Sequence, residues 1–126
     1  MLSGVPNLAF AIGYTNASWT LKVDLVCEYW CRLLAYMDAH GFDAAVPELD
    51  AFADMARRPL LDFQANYVLR ALDRLPKQGD RAPWRQATDY ADDRRVLRRS
   101  PVDDAPMRFF SAARVEAEPP ERRVAA

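Results

Sequence analysis

Apolar and polar residues follow two different periods along this chain. From about Ala17 to His40 the apolar positions Trp19, Val23, Val26, Trp30, Leu33, Leu34 and Met37 recur at spacings of three and four, which predicts an amphipathic helix. At about 1.5 Å per residue it would be about 36 Å long. Gly41 follows as a left-handed terminator, and His40 in the last turn can interact with the exposed carbonyl end. Glu28 and Arg32 stand four apart, so they are expected to pair on the helix surface. Upstream, "LAFAI" at residues 8–12 is an uninterrupted apolar run between Pro6-Asn7 and Gly13. It reads as a strand buried on both faces, which needs neighbours on either side. The chain supplies no obvious second strand of that kind.

Downstream the pattern is more broken. Pro47 suits a first helical position, and Leu49, Phe52 and Met55 keep helical spacing until Pro59, predicting a helix over about 47–57. Another is expected over about 61–74, carrying Leu61, Tyr67, Val68, Ala71, Leu72 and Leu75 toward a core. "LPKQGDRAPW" at residues 75–84 is a turn-rich connector. A short charged helix follows over about 89–98, with Thr88 or Asp89 as its cap. "MRFF" at 107–110 is a brief strand or an extended arm, and residues 112–126 have the composition of a disordered tail. The predicted fold class is therefore mainly α with a short N-terminal strand, an α+β fragment occupying residues 1–111.

Composition narrows the function only by exclusion. The 126 residues suffice for one domain, burying roughly two-thirds of the surface of the unfolded chain. With 51% hydrophobic and 28% charged residues and a net charge of -1, the chain is neither a disordered tail nor a nucleic-acid binder. Residues 1–50 carry two basic and six acidic side chains, against fifteen and twelve in residues 51–126. That asymmetry is too small to imply a nucleic-acid surface. No run of about 18 apolar residues and no secretory leader pattern is present, so a cytoplasmic location without a transmembrane segment is expected.

Candidate chemistry is sparse. Cys27 and Cys31 share a helix face, where they read as buried thiols, with a metal or redox role as the alternative. The four glycines, at positions 4, 13, 41 and 79, are too scattered for a phosphate-cradling loop. His40 stands alone, without a nucleophile or an orienting partner, and reads as a surface or capping residue. The pairs Asp92-Asp93 and Asp103-Asp104 fall in polar segments that are expected to be solvated, which suits them poorly to acid–base work. Arg94, Arg95, Arg98 and Arg99 could clamp a phosphate, but the flanking aspartates favour mutual neutralisation. Trp19, Trp30 and Trp84 are too dispersed to stack bases.

Residues 4–38, "GVPNLAFAIGYTNASWTLKVDLVCEYWCRLLAYMD", closely resemble the last strand and helix of the FAD domain in bacterial FAD-containing flavin monooxygenases of the Baeyer-Villiger type, in the ethionamide-activating subgroup. The strings "YVLRALDRLPKQGDRAPWR" (67–85), "DY" (89–90) and "SPVDDAPMRF" (100–109) resemble the C-terminal region of the same subgroup, in the same order. The likeness covers roughly residues 4–110. One departure is Ala65-Asn66, where the subgroup would lead one to expect a Ser-Gly pair.

The resemblance implies the C-terminal part of a flavoprotein fold with two dinucleotide-binding domains, in an enzyme that uses FAD and NADPH to insert one oxygen atom from O2 into a ketone or a sulfur or nitrogen centre. It further implies that Asn16, Ala17, Ser18 and Trp19, at the helix N-terminus, face the flavin ring. The plainer alternative is that Asn16 and Ser18 only cap the helix. Both glycine-rich fingerprints of such enzymes are missing, so the chain alone is expected to be inactive and to bind neither FAD nor NADPH. A separately encoded N-terminal FAD/NADP part or another subunit would complete it, and the position of Met1 fits a reading frame that starts inside a longer gene. The rival expectations are a non-catalytic helical interaction module and, with only its helix count in favour, a small all-helical regulator.

Overall fold

The computed structural model describes residues 2–14, 17–50, 54–61, 65–87 and 89–112. Helix α1 (Trp19–His40) is its longest element at 22 residues. Its C-terminus closes as the sequence requires. Gly41 takes φ 66°, its N–H bonds Asp38 O, and the Phe42 N–H reaches back to Met37 O at 3.0 Å, a Schellman closure. His40 is exposed, stacks on Tyr36 at 4.1 Å between ring centroids, and places Nδ1 2.8 Å from Tyr36 O.

The chain then turns into β1 (Ala44–Pro47), which pairs antiparallel with β4 (Met107–Phe110) in the register Ala44–Phe110 to Pro47–Met107. Beneath this ribbon Leu33 and Met37 of α1 meet Ala45, Val102 and Met107 in the main core cluster, ringed by Tyr29, Trp30, Tyr36, Phe42 and Phe109. The other edge of β1 is covered by the N-terminal segment. The Asn7 N–H donates to Ala45 O and its Oδ1 accepts from the Ala45 N–H, both at 3.0 Å, while Nδ2 donates to Asp43 O. Asn7 holds φ at 53°, a left-handed conformation that asparagine tolerates better than most residues.

A second small ribbon joins β2 (Arg58–Pro59) to β3 (Lys77–Gln78), with the six-residue α2 (Asn66–Ala71) between them. Beside it Gly79 is closely approached: a Cβ there would lie 2.2 Å from Met55 Sδ and 2.9 Å from Trp84 Cβ. Helix α3 (Tyr90–Arg99) is capped by Asp89, whose carboxylate accepts from the N–H groups of Ala91 and Asp92. It packs along α1.

Several expectations need correction. Residues 8–12 join no strand; no ladder partner reaches them, and Leu8 and Phe10 are exposed. The helix expected over 47–57 is absent at its described positions outside a single helical residue, Asp50, because Pro47 ends β1 against Met107 and Arg58 enters β2. The expected 61–74 helix is reduced to Asn66–Ala71 among the described residues, followed by a turn; Tyr67 is exposed while Val68 is buried. Cys27 and Cys31 are exposed free thiols rather than buried ones. Residues 113–126 of the expected tail lie outside the described residues, as do Thr88 and Phe52.

Candidate functional site

The N-terminal end of α1 differs electrostatically from that of α3. Ser18, in the N-cap position, makes no capping bond with its side chain; its Oγ lies 2.9 Å from Thr20 Oγ1 instead. The first turn contains no acidic residue. By contrast α3 has the Asp89 cap and both Asp92 and Asp93 in its first turn. A helix start leaves about four N–H groups without intrahelical partners and carries a partial positive charge. In α3 that charge is met by carboxylates, whereas at α1 the described side chains leave it open. Of the four positions singled out in the sequence, Ala17 and Ser18 are exposed and Trp19 opens the helix, 54% exposed. Asn16 lies outside the described residues.

Trp19 is seated on Gly13. A Cβ at residue 13 would lie 2.3 Å from Trp19 Cδ2, inside any real contact distance, so only glycine lets the indole approach the backbone this closely. On its outer side, an open hollow is lined by Trp19, Thr20, Leu21, Val23, Asp24 and Cys27.

Behind this end lies a buried polar cluster. Asp93 of α3 accepts a 2.6 Å hydrogen bond from the Tyr14 hydroxyl and pairs with Lys22 Nζ at 3.1 Å, all three residues being buried. Lys22 also donates to Ala87 O at 2.9 Å and lies 4.9 Å from the Tyr14 ring centroid, within cation–π range. Burial pushes the Tyr14 hydroxyl well above the ordinary tyrosine range, and the bond to Asp93 adds to the rise. Asp93 is thus not solvated, contrary to expectation; its neighbour Asp92 is exposed and pairs with Arg95.

The same two helices meet again about two and three turns further along α1. Glu28 does not pair with Arg32; it forms a two-pronged bridge to Arg98, at 2.5 and 2.6 Å. Hydrogen bonding to Arg98 holds the Glu28 carboxyl below its usual range. Arg32 instead donates to Leu97 O at 3.2 Å, and to Arg98 O and Ser100 O. These carbonyls belong to the C-terminal end of α3, which has no further helical turn to satisfy them. Asp104 is half-buried, and desolvation raises its carboxyl pKa, with Asp103 nearby adding to the rise.

Three relatives bear on what this arrangement serves. Over 109 residues the chain is 56% identical to the FAD-containing monooxygenase EthA of Mycobacterium tuberculosis, a match covering 86% of this chain and 22% of that protein. It is 45% identical over 109 residues to the probable FAD-binding monooxygenase AlmA of Acinetobacter baylyi, and 41% identical over 119 residues to the putative FAD-containing monooxygenase MymA of M. tuberculosis. The chain is homologous to one stretch of FAD-containing monooxygenases. It spans 22–24% of the length of these curated relatives. No family model and no solved structure matches it.

Within this FAD-monooxygenase homologue, Tyr14, Lys22 and Asp93 are the residues that sequence reasoning missed. One signal was present: Lys22 lies at helical spacing from Trp19, Leu25 and Tyr29, on a face that would otherwise be apolar. Among the described residues no three His, Cys, Asp or Glu side chains are grouped to hold a metal, and no helix is long and apolar enough to cross a membrane.

Proposed function

We propose that this chain forms the C-terminal part of a flavin-dependent monooxygenase, and that Asn16, Ala17, Ser18 and Trp19 lie against the pyrimidine side of the flavin ring. The observation that carries this reading is the start of α1, uncapped by Ser18 and free of acidic residues, in a chain homologous to FAD-containing monooxygenases. An electron-rich ring fits that donor set, whereas a helix end already filled by carboxylates would repel it. When bound, the flavin supplies the redox chemistry by which one oxygen atom of O2 reaches a ketone, sulfur or nitrogen centre. The chain's own part is electrostatic: N–H groups fixed by the helix meet negative charge without reorganising. Trp19, held on Gly13, keeps water from one side of the same position.

The chain carries neither glycine-rich fingerprint. In this reading, FAD and NADPH are held mainly by an N-terminal portion with the two dinucleotide-binding domains, the chain alone binds neither cofactor and turns nothing over, and the assembly is cytoplasmic. A second reading, a non-catalytic interaction module, draws support from the exposed apolar side chains of α1, with Trp19 and Leu34 54% and 48% exposed on one side and Leu21 42% exposed on another. Size-exclusion chromatography separates them in part: a clean, compact monomer with no partner counts against the module.

The decisive experiment grafts the whole chain in place of the matching stretch of M. tuberculosis EthA. The graft is expected to retain FAD. Ser18→Asp in it should lower the flavin reduction potential by about 20 mV or less, equivalent to about 0.3–1 kcal/mol of lost charge stabilisation at a helix end, while Ser18→Ala stays near the parent. A potential that ignores Ser18→Asp refutes the flavin-facing assignment. Tight stoichiometric FAD binding with NADPH oxidation by the 126-residue chain alone would refute its inactivity.

A further inference from the structure

We infer that Tyr14, Lys22 and Asp93 form a positioning cluster, in which one carboxylate on α3 sets the geometry of the α1 end assigned above to the flavin. The inference rests on that assignment. Its basis is the placement of the three residues. Tyr14 precedes the start of α1 in the chain and Lys22 lies one helical turn after Ser18, so the two side chains stand on either side of the helix start. Both converge on Asp93, through the 2.6 Å hydrogen bond and the 3.1 Å ion pair. The Lys22 ammonium also bonds Ala87 O, and it lies against the Tyr14 ring.

Asp93 therefore engages a residue on either side of the helix start at once. A buried ion pair contributes little net stability, and replacing it with well-packed apolar residues is often neutral. What it supplies is direction: the carboxylate accepts from the tyrosine hydroxyl and the ammonium along fixed lines, which apolar packing does not reproduce. A helix end displaced from the flavin loses its effect quickly, since such interactions fade within the first turn.

The test uses the same EthA graft and reads FAD content and flavin reduction potential. The paired change Lys22→Met with Asp93→Leu leaves net charge unaltered, so a shift reports geometry rather than lost charge. It is expected to lower the reduced-to-oxidised ratio at fixed potential about threefold. Tyr14→Phe, which keeps the ion pair and removes one hydroxyl, should shift it the same way by less. Glu28→Gln with Arg98→Gln, also charge-neutral and also an α1–α3 bridge, should leave the ratio unchanged. A Lys22–Asp93 variant that moves the ratio no more than the Glu28–Arg98 variant overturns the inference. If the paired variant loses FAD, Tyr14→Phe decides: a shifted ratio supports the inference and an unshifted one overturns it. A response to Ser18→Asp without a response at the cluster sinks only the positioning role, whereas silence at both removes the flavin assignment as well.

Discussion

Arg32→Ala offers the sharpest test of how α3 is held. The half-buried guanidinium forks onto Leu97 O, Arg98 O and Ser100 O, carbonyls at the end of a 10-residue helix. Hydrogen bonds from a charged donor contribute about 1.5–3 kcal/mol each where water cannot substitute. Here water can reach part of the exposed end once the side chain is gone, so the three bonds together are expected to be worth about 2–4 kcal/mol rather than their sum. A favourable charge at a helix C-terminus, itself about 0.3–1 kcal/mol, is included in that figure. Urea unfolding of the chain followed by far-UV circular dichroism measures the loss. Arg32→Lys keeps the charge but not the planar fork, and should fall between parent and alanine variant. Arg95→Ala, which removes only an exposed pair with Asp92, sets the surface baseline of about 0.5 kcal/mol. If Arg32→Ala costs no more than Arg95→Ala, the clamp does not hold α3 and the reasoning fails.

Two other outcomes follow from the buried polar groups. Asp93→Asn alone leaves the Lys22 ammonium buried without its carboxylate and should destabilise the chain by about 3–5 kcal/mol, whereas Lys22→Met with Asp93→Leu and Tyr14→Phe, which also removes the hydroxyl that Asp93 accepts from, should come within about 1 kcal/mol of the parent in the same urea assay; equal losses would contradict the buried pairing. Burial raises the Tyr29 hydroxyl from 10.0 to about 12, with Asp104 adding and Arg32 opposing, and raises Tyr14 further. Both folded values exceed the unfolded one, so their stabilisation is whole below pH 10 and is lost as pH climbs through the folded values. Stability measured at rising alkaline pH should therefore fall less steeply in Tyr29→Phe than in the parent, and parallel curves would refute it.

Local signals were legible in the sequence and long-range ones were not. Spacing of three and four revealed α1, Asp89 marked the start of α3, and "MRFF" suggested β4, because periodicity and capping act within a turn or a strand. Which side of α1 is covered was not legible. Of the stripe Trp19, Val23, Val26, Trp30, Leu33, Leu34 and Met37, Leu33 and Met37 are buried while Trp19 and Leu34 are exposed, and Lys22 and Leu25, outside the stripe, are buried with them. A helix with apolar residues on two faces does not declare which one a neighbour covers, and here the choice is made by Asp93 and the β1–β4 ribbon, far along the chain. The partner of the buried lysine lies in a segment that composition alone marks as polar. Pro47 was misassigned for a related reason: a residue suited to starting a helix is equally suited to ending a strand when a partner such as Met107 is present. The candidate site was legible only through resemblance, since an uncapped helix start has no sequence signature beyond the missing acids.

The Asn7 amide has a consequence for how this chain behaves at high concentration. An unpaired strand edge is a template on which a second molecule can add its own strand. By donating its backbone N–H to Ala45 O and accepting the Ala45 N–H with its side-chain oxygen, Asn7 occupies the rung that an incoming chain would need. The Gly4 N–H closes the next carbonyl along, at Pro47. The first few residues thus plug the β1 edge of the ribbon, and resistance to strand addition at that edge would depend on an asparagine that has no part in the helix chemistry.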